Sequence, residues 1–376
     1  MHVPSYRDTW AEISLDAIAH NAAWFKAHIR QGCLLMAVVK ADGYGHGAVE
    51  TANAAIGAGA EYLGVALLDE ALRLREAGIQ TPILVFGYTP PRSVEAAVAR
   101  DITMTVFSRE VLEEIILCSE RLNRPARIHI KVDTGMSRIG VQTPQEALAL
   151  AELALSSRYA SIEGLFTHLA DADGEDERYT RKQFQSFMAF VEAFKQRNVD
   201  IPIKHCCNSA AAMRFPDMHL DMVRVGIALY GLHPAKRLQR EDFPVRQAMS
   251  LKTRLSAIRR VSRNQPVSYG CTFLPERDSV IATIPIGYAD GLSRKLSNKG
   301  SVFLRGQRVP IAGRVCMDQT MLDVTSLSDV EVGDEVTLFG QSGGRLLSID
   351  EVADWMDTIN YEVVCLIGKR VPRVYV

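Results

Sequence analysis

The stretch LLMAVVKADGYGHG, residues 34–47, places an apolar run, a lysine and a glycine-rich turn in direct succession. The six apolar residues Leu34–Val39 favour a strand that is buried on both faces. Lys40 stands at the C-terminal end of this run, and the glycine-dense segment beginning at Asp42 supplies turn-forming backbone. Lys40 therefore either marks the point where the strand reaches solvent or is a functional amine.

Seven further apolar runs follow the first one, and longer amphipathic segments separate most of them. The eight predicted strands are Leu34–Val39, Glu61–Leu67, Pro82–Phe86, Ile102–Phe107, Arg127–Val132, Ser161–Thr167, Ile201–Cys206 and Met222–Val225. Alternation of strands and helices predicts a parallel sheet in an α/β fold. Eight repeats over about 200 residues favour closure into a (β/α)8 TIM barrel, with a doubly wound open sheet as the alternative.

The character of the sequence changes near HPAKRLQREDFP, residues 233–244. Beyond this point short apolar runs alternate with turn residues, and only SIDEVADWMDT, residues 348–358, looks helical. We therefore predict two domains, a (β/α)8 barrel in residues 1–240 and a mostly-β domain in residues 241–376.

Composition excludes several classes of function. With 47% apolar and 23% charged residues and a formal net charge of -1, the 376-residue chain offers no electrostatic attraction to nucleic acid or to an anionic membrane. We expect a cytoplasmic protein, since no signal peptide or membrane-spanning run is evident and the seven cysteines, an odd number, suggest free thiols. No metal-binding spacing and no P-loop occurs, so we predict no metal site.

Functional side chains gather where the predicted strands end, which in a barrel is the catalytic face. The residues in question are Lys40 and Tyr44 after the first strand, Lys131 and Arg138 at and after the fifth, His168 after the sixth, His205, Asn208 and Ser209 after the seventh, and Arg224, Gly226 and Ile227 in and after the eighth. Backbone N–H groups and a hydroxyl after strands 7 and 8 suit a phosphate. A phosphate site near a lysine amine is typical of pyridoxal phosphate (PLP) enzymes.

Nine segments of the chain, in order from the first strand to the C-terminus, resemble the alanine racemase family. They are AVVKADGYGHG, KVDTGMSRIG, HLADAD, HCCNSAA, MVRVGIALYG, VSYG, GYADGLSR, GRVCMDQTMLDV and NYEVVCLIGKRVPRVY. The resemblance implies PLP-dependent racemisation of L-alanine and D-alanine by two bases on opposite faces of the substrate. Lys40, which would also bind the cofactor covalently, matches one base, and Tyr269 in VSYG matches the other.

The resemblance also assigns roles to the remaining residues. Tyr44, Ser209, Gly226, Ile227 and Tyr361 match phosphate contacts, with Asn208 beside them; His168 would lie against the cofactor ring, and Arg224 would hydrogen-bond its nitrogen with His205 behind it. Arg138 and the Met317 backbone match the contacts to the substrate carboxylate, and Lys131 matches a position that the family carries as a carbamate. Cys316 and Asp318 match residues lining the site, and Tyr288, Arg294, Arg314 and Ile359 match residues of the entry passage.

In this family Tyr269 and Met317 serve the partner subunit's site, so the resemblance implies a head-to-tail homodimer. The rival hypotheses are a PLP-dependent decarboxylase, a small cofactor-homeostasis barrel and a non-enzymatic binding module. Arg224 stands where decarboxylases usually have an acid, and the homeostasis protein lacks a β domain. Two questions stay open: whether serine is also a substrate, and whether D-alanine is made for peptidoglycan or alanine is broken down.

Overall fold

A computed structural model describes residues 6–239 and 243–376 of the chain, which form two compact units. The first, the barrel unit, consists of Ala17–Gly43 and Ala48–Arg246 apart from residues 240–242. The second, the β unit, consists of the described residues up to Asp16, the segment Tyr44–Gly47 and Gln247–Val376. The predicted boundary between residues 240 and 241 lies outside the described residues.

The chain begins with β1 (Thr9–Ile13), which belongs to the β unit, and then forms the barrel. The barrel strands are β2 (Leu34–Val38), β3 (Tyr62–Val65), β4 (Ile83–Val85), β5 (Thr103–Val106), β6 (Ala126–Lys131), β7 (Ala160–Phe166), β8 (Ile203–His205) and β9 (Met222–Val225). All neighbours pair in parallel, in the order β8-β7-β6-β5-β4-β3-β2-β9. Hydrogen bonds from Asp221 N to Lys204 O and from Arg224 N to Cys207 O join the two ends. The predicted TIM barrel is confirmed.

Helices connect the barrel strands as the amphipathic segments predicted. They are α1 (Leu15–His28), which precedes β2, the short turn α2 (Lys40–Tyr44), α3 (Ala48–Gly57), α4 (Leu68–Glu76), α5 (Val94–Ala99), α6 (Arg109–Leu122), α7 (Pro144–Leu155), α8 (Arg178–Gln196) and α9 (Ser209–Arg214). Local sequence explains several starts: Ser108 caps α6 with its side chain, and Thr143 and Glu146 form a capping box on α7. These helices place the C-terminal ends of all eight strands on one rim.

The β unit contains two sheets and two helices. Its strands are β10 (Met249–Arg254), β11 (Ala257–Val261), β12 (Ser279–Ile284), β13 (Ser301–Leu304), β14 (Gln307–Pro310), β15 (Thr320–Asp323), β16 (Glu335–Ser342), β17 (Arg345–Leu347) and β18 (Arg373–Tyr375). One sheet has the order β14-β13-β16-β10-β1-β18 with β17 beside β16, and the other has the order β11-β12-β15. The predicted mostly-β character is confirmed.

Two features of the β unit differ from the sequence-based expectation. The segment Asn360–Leu366 is a second helix, α11, after α10 (Ile349–Met356), although its apolar run reads as a strand. The N-terminal strand β1 pairs with β10 and β18, so the first residues belong to the β unit rather than to the barrel domain in which the prediction placed them. Both outcomes depend on partners that are distant in sequence, which local patterns do not report.

No helix in the described part of the chain is long and apolar enough to cross a membrane. All seven cysteines carry free thiols, and four of them are buried.

Candidate active site

Lys40 begins an unusual turn at the end of β2. Ala41, Asp42 and Gly43 all have left-handed backbone angles, with φ of 52°, 54° and 61°. An L-residue in this region costs roughly 1–2 kcal/mol, so the surrounding structure has to hold the turn. One such contact is the 2.6 Å hydrogen bond from the Ala41 N–H to Oε1 of Glu70. Strain of this kind is concentrated at functional sites, which favours the functional hypothesis for Lys40.

Arg224 on β9 is buried, with 4% of its surface exposed, and is held by four hydrogen-bond contacts. Its Nη1 lies 2.9 Å from Nδ1 of His205. Its Nη2 lies 2.9 Å from the Thr167 carbonyl oxygen, 3.0 Å from that of Cys206 and 3.2 Å from Nδ1 of His168. None of these contacts uses Nε. The guanidinium is therefore fixed in orientation while a donor remains for a ligand.

Positive charge is concentrated around His168. Burial, followed by the charges of Arg224, Lys131, Arg138 and Lys40, holds the pKa of the His168 imidazole well below its usual range. Burial also lowers the pKa of the Lys131 amine strongly, with Arg224 and Arg138 adding to the effect. The charges of Arg224, Arg138 and Lys40 at one end of the barrel stabilise a bound anion, and with burial they keep the imidazole neutral.

The segments after β8 and β9 meet at Ser209. Its Oγ accepts hydrogen bonds from the N–H groups of Gly226, at 2.9 Å, and Ala228, at 3.5 Å. Asn208 caps α9 by accepting from the Ala211 N–H at 3.0 Å. The hydroxyl and the backbone from Gly226 to Ile227 are thereby brought together, as the predicted phosphate site requires.

Arg138 lies in the exposed loop after β6, and Asp133 shapes that loop. Oδ1 of Asp133 accepts hydrogen bonds from the N–H groups of Gly135, at 2.9 Å, and Ser137, at 3.1 Å. Lys131 ends β6 with 4% exposure, and its Nζ lies 4.8 Å from the centre of the Phe166 ring. Lys131 and Arg138, both predicted from the sequence, thus belong to the same group of electrostatically interacting side chains as Arg224 and His168.

Tyr269 lies on an exposed turn of the β unit. Its side chain is 71% exposed, and the neighbouring Ser268 and Gly270 have φ of 68° and 73°. Ser268 Oγ donates to the Arg314 carbonyl oxygen at 2.7 Å. A Cβ added to Gly270 would lie 3.0 Å from the Arg314 guanidinium carbon. The turn is therefore defined by its packing, while the phenol itself points away from the protein interior.

Met317, which is 52% exposed, lies on a second ordered turn of the β unit. The Tyr288 and Ala289 N–H groups donate to the carbonyl oxygens of Cys316 and Met317, both at 3.0 Å. Asp318 accepts from Arg370 Nη2 at 2.8 Å. Within residues 6–239 and 243–376 the backbone N–H of Met317 has no hydrogen-bond partner. This donor fits the predicted contact to a carboxylate.

The other predicted residues of the β unit fall into two groups. Tyr44 and Tyr361 lie together, with ring centres 6.3 Å apart. Tyr288, Arg294 and Ile359 are exposed. A surface position agrees with the entry passage that the resemblance implies, but it is equally expected of ordinary surface residues.

Several residues that support the site escaped sequence-based prediction. His129 and Glu163 lie behind His205 within the barrel, and Asp290 is fully buried between Arg7 and Arg370 in the β unit. The sequence signal for such a residue is a polar side chain in the middle of an apolar strand, such as His129 in ARIHIK at residues 126–131. Such a signal shows that a partner must exist without showing which one.

PLP fits the groups assembled in the barrel unit. The Ser209 region suits its phosphate, Arg224 offers a donor, and Lys40 offers an amine at the end of β2. Among the described residues no group of three or more side chains could hold a metal ion.

Comparison with known proteins places both units in one family. Residues 13–234 match the model of the alanine racemase N-terminal domain, and residues 248–375 match that of the C-terminal domain. The chain is 53% identical to alanine racemase 2 of Oceanobacillus iheyensis, over 99% of this chain and 94% of that protein. It is 48% identical to alanine racemase of Desulfovibrio desulfuricans, over 98% of both. It is also similar to the crystal structure of alanine racemase from Bacillus anthracis with bound L-Ala-P, with a TM-score of 0.94 and 40% identity, over 100% of this chain and 96% of that one.

Proposed function

The chain belongs to the alanine racemase family, and on this premise we propose that Lys40 and Tyr269 are the two bases with which it interconverts L-alanine and D-alanine. The activity is PLP-dependent racemisation of alanine. The observation that carries the assignment of the site is the contact of Arg224 Nη2 with Nδ1 of His168 at 3.2 Å, next to the Ser209 hydroxyl region at the same ends of the barrel strands.

Lys40 holds the cofactor and moves a proton. Bound there, PLP acidifies the Cα–H bond of the amino acid by withdrawing electrons from it. The Lys40 amine then accepts or returns the Cα proton on one face of the substrate. A planar Cα held still exposes its other face to a second group, which has to supply or remove the proton there.

Tyr269 of the partner subunit is the second group. Its side chain is the most exposed of the predicted catalytic residues, and it lies on a turn that packing against the Arg314 segment defines. To act as a base, Tyr269 needs neighbouring cations that stabilise its phenolate, and the cationic barrel mouth of a second copy supplies them.

Arg224 and His168 restrict the chemistry to racemisation. A permanently charged guanidinium donates a hydrogen bond to the cofactor ring nitrogen but has no proton acceptor, so it opposes protonation of that nitrogen. The ring is then a weaker electron sink, which disfavours a long-lived carbanion and side reactions such as transamination. The neutral His168 imidazole lies against the ring without adding charge.

Arg138 and the Met317 N–H bind the substrate carboxylate. Lys131 supports Arg138 as a carbamate: its neutral amine adds to the carbon of CO₂, and one N–H proton is released to water. This addition converts a buried cation site into an anion that can orient Arg138. The lowered pKa of Lys131 favours it, because only the neutral amine is nucleophilic.

We place the enzyme in the cytoplasm as a head-to-tail homodimer that supplies D-alanine for peptidoglycan or feeds alanine breakdown. Seven free thiols support a reducing compartment. Tyr269 and Met317, which this dimer would place in the partner's site, are 71% and 52% exposed and so accessible to a second copy.

Hybrid dimers test this proposal. A Lys40→Ala chain mixed with a Tyr269→Phe chain forms one site that lacks both groups and one that keeps both. The mixture should recover activity that neither variant has alone. With random mixing half of the dimers are hybrid and each has one intact site, so the activity should reach up to a quarter of the wild-type activity. Absence of recovery in dimers that are shown to be hybrid by mass spectrometry contradicts the shared site.

A further inference from the structure

A line of five hydrogen-bonded side chains crosses the barrel interior behind Arg224. Arg224 Nη1 lies 2.9 Å from Nδ1 of His205, and Nε2 of His205 lies 2.9 Å from Nδ1 of His129. Nε2 of His129 lies 3.0 Å from Oε2 of Glu163, which also accepts from the Tyr62 hydroxyl at 2.6 Å. The line draws on β9, β8, β6, β7 and β3, so it ties together strands that are distant in sequence.

The chemistry of its two ends sets the direction of every bond in this line. Arginine can only donate, so Nδ1 of His205 accepts and its proton is on Nε2. That proton is donated to Nδ1 of His129, whose own proton is then on Nε2 and is donated to the carboxylate of Glu163. One arrangement of protons therefore satisfies all the bonds, and both imidazoles are neutral in it.

We infer that Glu163 is a positioning residue for racemisation, which holds His129 and His205 in the Nε2–H tautomer and thereby fixes Arg224 at the cofactor ring. The inference rests on the proposed role of Arg224. Without the carboxylate, the opposite tautomers become available, and His205 would then direct an N–H at the Arg224 guanidinium, which cannot accept it.

Electrostatics support this role. None of the four hydrogen-bond partners of Arg224 is a carboxylate, so Glu163 supplies the negative charge at the far end of the line. Burial holds the pKa of both His129 and His205 below the usual range, and the charge of Arg224 adds to the effect. Burial raises the pKa of Glu163, but hydrogen bonds from His129 and Tyr62 outweigh it, and the net pKa is lowered.

Packing holds the imidazole rings of His129 and His205 in place, so that only the positions of their protons can change. The His205 ring stacks on Phe166 with ring centres 4.8 Å apart and an interplanar angle of 3°. His129 and His205 are both fully buried. Because neither ring can turn over without moving its neighbours, a change in the identity of residue 163 acts through the tautomers rather than through ring rotation.

The first test is the tautomeric state of the wild-type holoenzyme. In protein labelled with ¹⁵N-histidine, two-bond proton–nitrogen correlations distinguish Nε2–H from Nδ1–H imidazoles, and His129→Gln and His205→Asn variants assign the signals. We expect both residues to be neutral Nε2–H tautomers at neutral pH. An Nδ1–H signal, or a charged imidazole, for either residue would overturn the inference.

The second test compares Glu163→Gln with Glu61→Gln. Glu61 is a matched control, since its carboxylate accepts from Lys26 Nζ at 2.6 Å and from the Leu35 N–H at 3.0 Å but has no link to Arg224. In Glu163→Gln we expect mixed tautomers for His129 and His205, a shifted absorbance of the bound cofactor, and a kcat about tenfold lower with little change in KM for alanine. Glu61→Gln should leave all of these at wild-type values.

The outcomes separate this inference from the proposed function. Mixed tautomers with unchanged cofactor absorbance and kcat would show that Glu163 orders the line without acting on the cofactor, which overturns the inference and leaves the two bases intact. Unchanged tautomers in Glu163→Gln would overturn it as well. Tyr62→Phe, which removes one donor to Glu163 but keeps its carboxylate as the acceptor for His129, should leave both histidines in the Nε2–H tautomer.

Discussion

The barrel mouth and the exposed turns of the β unit both carry residues of the proposed site but are built in different ways. Arg224, Lys131 and His205 are buried, and each interacts with other side chains of its own unit. Tyr269 and Met317 are more than half exposed, and only their backbones are held in place.

The barrel mouth and the turns of the β unit therefore differ in what determines the chemistry of their side chains. The barrel mouth is organised within one chain, and its protonation states follow from burial and neighbouring cations. The turns of the β unit present side chains whose environment has to come from outside. In the proposed dimer, a single chain would therefore hold the cofactor but supply only one of the two bases to each site.

The largest effect should come from Lys40. Lys40→Ala removes both the covalent anchor and one base, so kcat/KM for alanine should fall by at least about 10⁴-fold. Racemisation is measured by circular dichroism of the alanine, and Lys182→Ala, a lysine on α8, is the control. Retention of full activity would refute the entire assignment of the site.

Tyr269→Phe should have the next largest effect. It should lower activity strongly and change stability little. The rate should fall by about 10²–10⁴-fold in both directions, because a proton removed at one face has to be supplied at the other. Stability should change by less than about 0.5 kcal/mol, since the side chain is 71% exposed. Tyr6→Phe, at an exposed tyrosine outside the site, is the control. A large loss of stability would contradict the expectation that the exposed turns of the β unit contribute less to folding than the barrel mouth does.

Stability should instead respond to changes in the barrel mouth. His205→Leu leaves Arg224 Nη1 and His129 Nδ1 without their buried partners, so we expect a loss of about 2–4 kcal/mol in the free energy of unfolding. Met317→Ala, at an exposed position, should cost about 0.5 kcal/mol or less. Urea unfolding of the two variants measures the difference. Equal losses would mean that the β-unit turn is as important to the fold as the barrel interior.

The last expected effect is a dependence of barrel stability on pH. Burial holds the pKa values of His129, His168 and His205 below their ordinary value, so below about pH 6.5 the unfolded chain binds more protons than the folded one. The free energy of opening should therefore fall as the pH is lowered from 7 to 5, by up to about 1.4 kcal/mol per pH unit for each histidine.

Hydrogen exchange, resolved by peptide and corrected for intrinsic rates, measures this opening free energy in β6, β7 and β8. Strands β11 and β12 of the β unit serve as the internal reference, since they contain no histidine. Barrel protection that does not change between pH 7 and 5 would mean that these imidazoles are charged in the folded protein.

Local patterns identified the barrel because its strands are apolar runs and most of them are followed by a helix. The boundaries of Met222–Val225 agree with the prediction, and the other strands differ from it by only a few residues. The helix Asn360–Leu366 was missed because its apolar residues match a strand equally well, and β1 was assigned to the wrong domain because its partners lie more than 200 residues away.

The sequence alone determined the order of the elements, the end of the strand at which Lys40 stands and the resemblance that named the chemistry, since all three depend on residues that are neighbours in the chain. The tertiary structure decided which charges share one site and which side chains the buried histidines contact. Those properties depend on distances between strands such as β3 and β7, and on burial that removes water from Arg224 and its partners. Neither the distances between strands nor the burial of a side chain can be read from the spacing of residues along the chain.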